Sequence, residues 1–293
     1  MTEVCLCIDR NTEQCGYVAL HSLLMHASEE VSVLVCYDKD DGKIKTDWDK
    51  RLRGFNFSFR LKYQPIDNKI FRICRSCYGS YAPYLLLSSP HYAITDKMLY
   101  IDADTVFTDD ICKLYHIDMA DSVMGLFTKV KCNERGEIEK KLLYNYNKNL
   151  HSYYYGSCLA LINTKKYKEL KKLELCQDIA RRYPFELMLW DQTVLNCAFR
   201  DEEICDLSHL GLQWVQEASR NGNRGQFKSG MIHFCGAPKP WDLLGEFYHP
   251  YYTEWHNAAT SAGISLPMIR NYLSISSWRR ALRAKNQYKI WFN

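Results

Sequence analysis

The sequence has no apolar run approaching the roughly 20 residues that cross a bilayer. Its first residues, Met1-Thr-Glu-Val, lack the basic region and apolar stretch of a secretory leader. These two absences argue against a spanning or exported chain, so the expectation is a cytoplasmic protein. No glycine-rich phosphate loop comes after the first apolar segment: Asp9-Arg-Asn-Thr-Glu-Gln is neither G-x-G-x-x-G nor a P-loop, which argues against dinucleotide and P-loop nucleotide folds. Cysteine is abundant, at thirteen residues, but only Cys74 and Cys77 have ligand-like spacing and no second pair completes a zinc site. Several cysteines (Cys5, Cys7, Cys36, Cys235) lie inside apolar strand-like runs and read as reduced core residues. Acidic residues are missing altogether after Glu254, whereas Arg270, Arg279, Arg280, Arg283, Lys285 and Lys289 lie beyond it.

That last absence divides the chain. Removing those six from 38 basic residues leaves 32 against 34 acidic ones, so the tail alone makes the net charge +4. Trp278, Leu282, Tyr288, Ile290, Trp291 and Phe292 interleave with the tail cations. An interfacial helix does this, placing aromatics at the headgroups and cations against anionic lipid. A docked C-terminal helix is the alternative. No wider basic pattern points to nucleic acid. With 47% apolar residues in 293, the body has enough material for one substantial core.

Val4 to Asp9 reads as a buried strand, leading into a helix to about residue 27 with Tyr17, Leu20, His21 and Leu24 on one face. Val31 to Tyr37 is a second strand, a short helix lies near residues 46 to 53, and Phe55 to Tyr63 alternates like a third strand. A helix is expected around residues 80 to 89, then strands at 98 to 101, Ser122 to Thr128 and Cys158 to Ile162. Strands alternating with helices predict an α/β fold with a single, mostly parallel sheet flanked by helices, Rossmann-like in order. Ligands of such sheets bind at the carboxyl ends of the strands. The polar segment 129 to 152 reads as an irregular excursion, in which Tyr144 and Tyr146, with Tyr153, Tyr154 and Tyr155 beyond it, are candidates to stack on sugar faces.

Met98-Leu-Tyr-Ile-Asp102-Ala-Asp104 ends an apolar strand with two carboxylates one residue apart. In extended backbone they face the same side and can converge on a hard divalent cation. Alone, the pair fits equally a polar strand exit capping the helix that Asp109 and Asp110 begin. A second segment, Met231-Ile-His233-Phe-Cys-Gly236-Ala-Pro-Lys239-Pro-Trp241, ends another apolar run on a histidine. Its glycine permits close backbone approach, and its lysine sits between two prolines. Histidine suits Mn²⁺ better than Mg²⁺, so Asp102, Asp104 and His233 form a plausible O,O,N set, with Lys239 placed to neutralise a departing diphosphate.

Asp102-Ala-Asp104, Trp190-Asp191-Gln192-Thr-Val-Leu-Asn196 and His233 to Trp241, in this order, resemble the signature of family 8 retaining glycosyltransferases of the lipooligosaccharide α-1,4-galactosyltransferase type. The resemblance covers nearly the whole chain. It implies a GT-A fold over residues 1 to 265, a basic, aromatic, membrane-associating tail over 266 to 293, and retaining transfer of galactose or glucose from a UDP-sugar. By position, Asp9 and Asn11 would bind uridine, and Asp102, Asp104 and His233 the metal, with Asp104 also near the ribose or sugar. Gly236 and Lys239 would meet the phosphates, Asp191 would bond the donor sugar, and Gln192 would lie beneath its anomeric carbon. A carboxamide is a poor nucleophile, which favours front-face departure over a covalent sugar on Gln192. The implied partners are UDP-hexose with Mn²⁺ (Mg²⁺ as the alternative) and a lipid-linked oligosaccharide acceptor of lipopolysaccharide biosynthesis, met at the cytoplasmic face of the inner membrane. Three departures stand out: Gly156-Ser157-Cys158 for the family's Asn-Ala-Gly, Pro83 for an arginine, and Thr12 for an aromatic. They concern the sugar and uracil rather than the metal. Two other readings remain: a haloacid dehalogenase-type phosphatase using Asp102-Ala-Asp104-Thr-Val, and a non-catalytic nucleotide-sugar-binding membrane protein.

Overall fold

A computed structural model describes residues 1–41, 48–52, 58–217, 229–236, 239–243, 245–249 and 251–264, with 275, 278 and 279. In chain order the chain forms β1 (Thr2–Ile8), α1 (Glu13–His26), β2 (Val31–Asp38), α2 (Trp48–Arg51), β3 (Phe59–Ile66), α3 (Leu85–Ser88), β4 (Lys97–Ile101) and β5 (Thr105–Phe107). Next come α4 (Cys112–Tyr115), β6 (Met124–Leu126), β7 (Lys129–Lys131), α5 (Glu137–Asn145), β8 (Tyr153–Tyr155), β9 (Leu159–Asn163), α6 (Thr164–Glu169) and α7 (Lys172–Arg182). The last elements are α8 (Trp190–Ala198), β10 (Ile204–Asp206), α9 (Ser208–Trp214), β11 (Val215–Glu217), β12 (Met231–His233), α10 (Gly245–Tyr248) and α11 (Tyr252–Ser261).

The central sheet has seven strands in the order β10-β6-β9-β4-β1-β2-β3, all parallel except β9, which runs antiparallel to β4 and β6. Strand periodicity explains why β1 is apolar throughout. Val4, Leu6 and Ile8 enter the core on the α1 side, while Cys5 and Cys7 enter the opposite core under α7 and α8. All thirteen cysteines are free and ten are buried. β3 is one of the two edge strands, half-exposed to exposed from Phe59 to Pro65, where Pro65 costs no ladder bond on the open side.

Several expectations shift. The third strand runs to Ile66; residues 55 to 57 of its expected start lie outside the described residues. The helix near 80 to 89 is a single α turn between 3₁₀ turns at Ala82–Tyr84 and Ser89–His91, because Pro83 and Pro90 withhold amide donors. The helix after Asp109 and Asp110 is likewise one turn; its N-cap is Ile111, and the Asp110 carboxylate just before it accepts from the Cys112 amide at 3.0 Å. The strand expected over 122 to 128 is reduced to β6, and the next begins at Leu159.

Segment 129 to 152 is not irregular. It forms β7 and the helix α5, and with β8 a two-stranded antiparallel ribbon in which Val130 faces Tyr154. Tyr154 is fully buried, Tyr155 is 8% exposed, and Tyr146 packs edge-on against Tyr183, so these three serve the core; Tyr144 and Tyr153 remain exposed.

Candidate active site

β1 and β4 are parallel neighbours, with Leu6 opposite Ile101, so the loops leaving their carboxyl ends emerge at one edge of the sheet. After β1, Asp9 closes a tight turn into α1. Its Oδ1 accepts from the amides of Asn11 (2.8 Å) and Thr12 (2.9 Å) and from the Thr12 hydroxyl (3.0 Å), while its own amide donates to Thr12 Oγ1 at 2.8 Å. Asp9 is thus buried and engaged in starting the helix, whereas Asn11 is exposed beside it.

After β4 the chain bends instead of continuing extended. The Thr105 hydroxyl donates to the Asp102 carbonyl at 2.8 Å, and the Asp102 amide donates to the Cys158 carbonyl at 3.0 Å, fixing the bend to β9. The convergence of the two carboxylates therefore comes from this bend rather than from strand alternation. Beyond it β5 pairs antiparallel with β12, placing His233 opposite Thr105, and the Phe234 amide donates to the Asp104 carbonyl at 2.9 Å. A residue more than 120 positions away is brought to the acidic pair in this way.

His233 Nε2 lies 3.4 Å from Asp102 Oδ2 and 3.5 Å from Asp104 Oδ1, and donor atoms of all three residues lie within 4.8 Å of one another. Adjacent ligands of an octahedral cation at about 2.1 Å stand roughly 3 Å apart, so this O,O,N set fits one divalent ion with little adjustment. The Tyr100 hydroxyl donates to Asp102 Oδ1 at 2.8 Å and leaves Oδ2 facing the histidine. The Lys239 ammonium is bonded to Asp104 Oδ2 and to the Phe234 carbonyl.

These charges balance one another. Enclosure works to raise the Asp104 pKa, yet Lys239, then His233, holds the carboxyl well below the usual range. Asp102 is raised by burial, against the attraction of His233. His233 is itself raised well above the ordinary imidazole value, burial being outweighed by Cys158 and Asp104.

Asp191, in the first turn of α8, is 6% exposed and accepts from the Ser157 hydroxyl at 2.9 Å. Burial, reinforced by the charge on Asp102, pushes its pKa up to about 8. Gln192, next along, is half-buried. Gly236 adopts φ +73°, a left-handed conformation that favours glycine, and a side chain there would meet nothing within 4 Å.

Residues 3–245 match the profile of "Glycosyl transferase family 8". The chain belongs to this family. General stress protein A of Bacillus subtilis (strain 168) is 24% identical over 249 residues, covering 76% of this chain and 84% of that protein. The lipopolysaccharide 1,2-glucosyltransferase of Escherichia coli (strain K12) is 25% identical over 159 residues, half of this chain and 44% of that protein. An active-site mutant of the glycosyltransferase LgtC superposes with a TM-score of 0.69 at 19% identity, covering 89% of this chain and 95% of that one. LgtC with donor and acceptor sugar analogues gives 0.67 at 21% identity and the same coverage. The fold is thus the GT-A fold, with the mostly parallel sheet expected of family 8. Membership in family 8 removes the phosphatase reading.

Tyr100 and Ser157 carry no motif in the sequence. Tyr100 has a signal nonetheless, since two residues before Asp102 on one strand it must face the same way. Ser157 stands in the segment that departs from the family's Asn-Ala-Gly, but its bond to Asp191, 34 residues distant, leaves no mark in the sequence. Gly156 is required for a local reason: a Cβ there would come within 2.2 Å of Thr128 Oγ1. Thr128 thus fills the space an asparagine side chain at this position would take.

Proposed function

We propose that this family 8 glycosyltransferase is a metal-dependent, retaining hexosyltransferase that moves galactose or glucose from a UDP-sugar to a lipid-linked saccharide of the lipopolysaccharide or lipooligosaccharide type. The observation that carries the reading is the convergence of Asp102, Asp104 and His233 on one point at the edge where β1 and β4 end. That donor chemistry suits Mn²⁺, with Mg²⁺ second. Bound there, the ion would act as a Lewis acid on the diphosphate leaving group.

The remaining work falls to side chains. Asp9 and Asn11 stand where the uridine would lie, and Gly236 and Lys239 where the phosphates would. Lys239 leaves Asp104 to meet the negative charge that develops as UDP departs. Asp191 holds a hydroxyl of the donor sugar, and Gln192 lies beneath the anomeric carbon. On the front face, the bond from the acceptor oxygen to the anomeric carbon forms as the bond to the β-phosphate oxygen breaks. The acceptor proton passes to that phosphate oxygen, and the configuration is retained.

The acceptor class rests on the name of the E. coli relative and on the basic, aromatic tail, of which Ile275 and Trp278 are exposed. The same tail supports a location on the cytoplasmic membrane surface; among the described residues no helix is long and apolar enough to cross a membrane.

The test is UDP release from a panel of UDP-hexoses with Mn²⁺, with and without a lipid-borne acceptor. Asp104→Ala and His233→Ala should each remove Mn²⁺-dependent turnover, by about a hundredfold or more, and weaken Mn²⁺ binding. Full turnover by either variant refutes the metal assignment. Binding of UDP-hexose with no release of UDP favours a non-catalytic binder.

A further inference from the structure

Asp191 is preceded by a residue whose backbone is out of its usual range. Trp190, a bulky residue, has φ +52°, a left-handed conformation that costs roughly 1–3 kcal/mol and persists only where its surroundings enforce it. The contacts that bracket it run into a buried chain. The Leu189 amide donates to Thr193 Oγ1 at 2.9 Å, and the Thr193 hydroxyl donates to Glu139 Oε1 at 2.7 Å. The Tyr154 hydroxyl donates to the same oxygen at 2.8 Å. Tyr154 and Thr193 are fully buried and Glu139 is 4% exposed, so water does not compete for the two bonds to Glu139.

Glu139 and Tyr154 belong to α5 and β8, whereas Leu189 and Thr193 bracket the two residues assigned to the sugar. One turn further on, Asn196 accepts from the Tyr155 amide at 2.8 Å and donates to the carbonyls of Tyr155 and Gln192, both at 2.8 Å. The segment from α5 to β8 is therefore a brace on the front of α8. A carboxylate is costly in such a place unless its hydrogen bonds fix something.

We propose that Glu139 is a positioning residue for donor-sugar recognition, holding the left-handed turn at Trp190 through Thr193 and so aiming Asp191 and Gln192 at the sugar end of the donor. The proposal rests on the roles given to Asp191 and Gln192 under Proposed function. It separates the two halves of the donor, because the metal set and Asp9 are built on other elements and do not depend on this clasp.

Three variants test it: Glu139→Leu, Glu139→Gln, whose carbonyl can still accept both hydroxyls, and Thr193→Val, which keeps the shape and removes the hydroxyl. Each is assayed for kcat, for affinity towards UDP and UDP-hexose with Mn²⁺, and for amide exchange at residues 189–193. Glu139→Leu and Thr193→Val should lower kcat about tenfold or more. They should abolish any extra affinity for UDP-hexose over UDP and speed exchange at 189–193. UDP affinity and exchange in β1 and β4 should stay at wild-type levels, and Glu139→Gln should recover most of the loss. Unchanged kcat and exchange in Thr193→Val, or a parallel loss of UDP affinity in both variants, overturns the proposal. A wild-type chain that does not turn over UDP-hexose defeats the reading of the site, whereas the exchange measurement still decides whether the clasp holds this turn.

Discussion

At the residue scale, Asp191 illustrates how burial and function pull apart. Its folded pKa of about 8 lies far above the ordinary value of about 3.9 that it regains on unfolding. Between those values the folded chain keeps a proton the unfolded chain has released, so stability falls as pH rises through this window, and the full cost is present above about 8. Asp191→Asn, which can still accept from Ser157, should therefore raise the melting temperature of the metal-free protein by a few °C at pH 8 to 9. The gain should vanish near pH 4, which calorimetry across that range would show, while turnover is lost. Gly156 makes the complementary point about space. With Thr128 Oγ1 2.2 Å from where its Cβ would be, Gly156→Ala should destabilise by about 1–3 kcal/mol in denaturant titration. Thr128→Ala in the same chain should recover most of that.

At the scale of elements, the site is a meeting of loops and short strands held by a large sheet. β12 is three residues long, yet it delivers His233, and its place depends on Gly230 immediately before it. Gly230 has φ +139°, and an added Cβ would lie 2.4 Å from the Trp214 carbonyl. Its amide donates to Thr108 Oγ1 at 3.0 Å, and its carbonyl accepts from the Thr108 amide at 2.8 Å. Gly230→Ala should lift β12 from its neighbours, at a cost of roughly 1–3 kcal/mol. Mn²⁺ affinity, measured by calorimetry, should fall at least tenfold while the amides of β1 and β4 keep their exchange protection. Elements with unbroken apolar periodicity, such as β1, α1, β2 and β4, were legible in the sequence because both faces of the sheet are covered. β9 was found, but its antiparallel direction was not, since direction leaves no mark on a five-residue apolar run. The polar composition of 129 to 152 concealed α5, whose few inward residues, Glu139, Leu142 and Leu143, include a carboxylate.

At the scale of the whole molecule, a neutral-to-acidic catalytic body is joined to a basic, aromatic tail, most of which lies outside the described residues. If the tail acts at a lipid surface, truncation after about residue 264 should reduce sedimentation with anionic vesicles at least tenfold, and added salt should weaken what binding the full chain shows. Turnover on a lipid-borne acceptor should fall with it, while turnover on a soluble sugar acceptor stays unchanged. Equal vesicle binding by both chains would refute that role.

Local chemistry in the sequence sufficed for much of this protein: the buried parallel strands, the acidic pair where one of them ends, the histidine and lysine of the second motif, and through them the family. Such features are written in side-chain periodicity and in short motifs whose residues lie close along the chain. Only the tertiary structure decided how the pieces act together. A bend, not an extended strand, converges Asp102 and Asp104, the pairing of β5 with β12 carries His233 across more than 120 residues, and Ser157, Tyr100 and Glu139 fix the groups that would touch substrate. These are contacts between distant parts of the chain, and their energies depend on burial that no local pattern records.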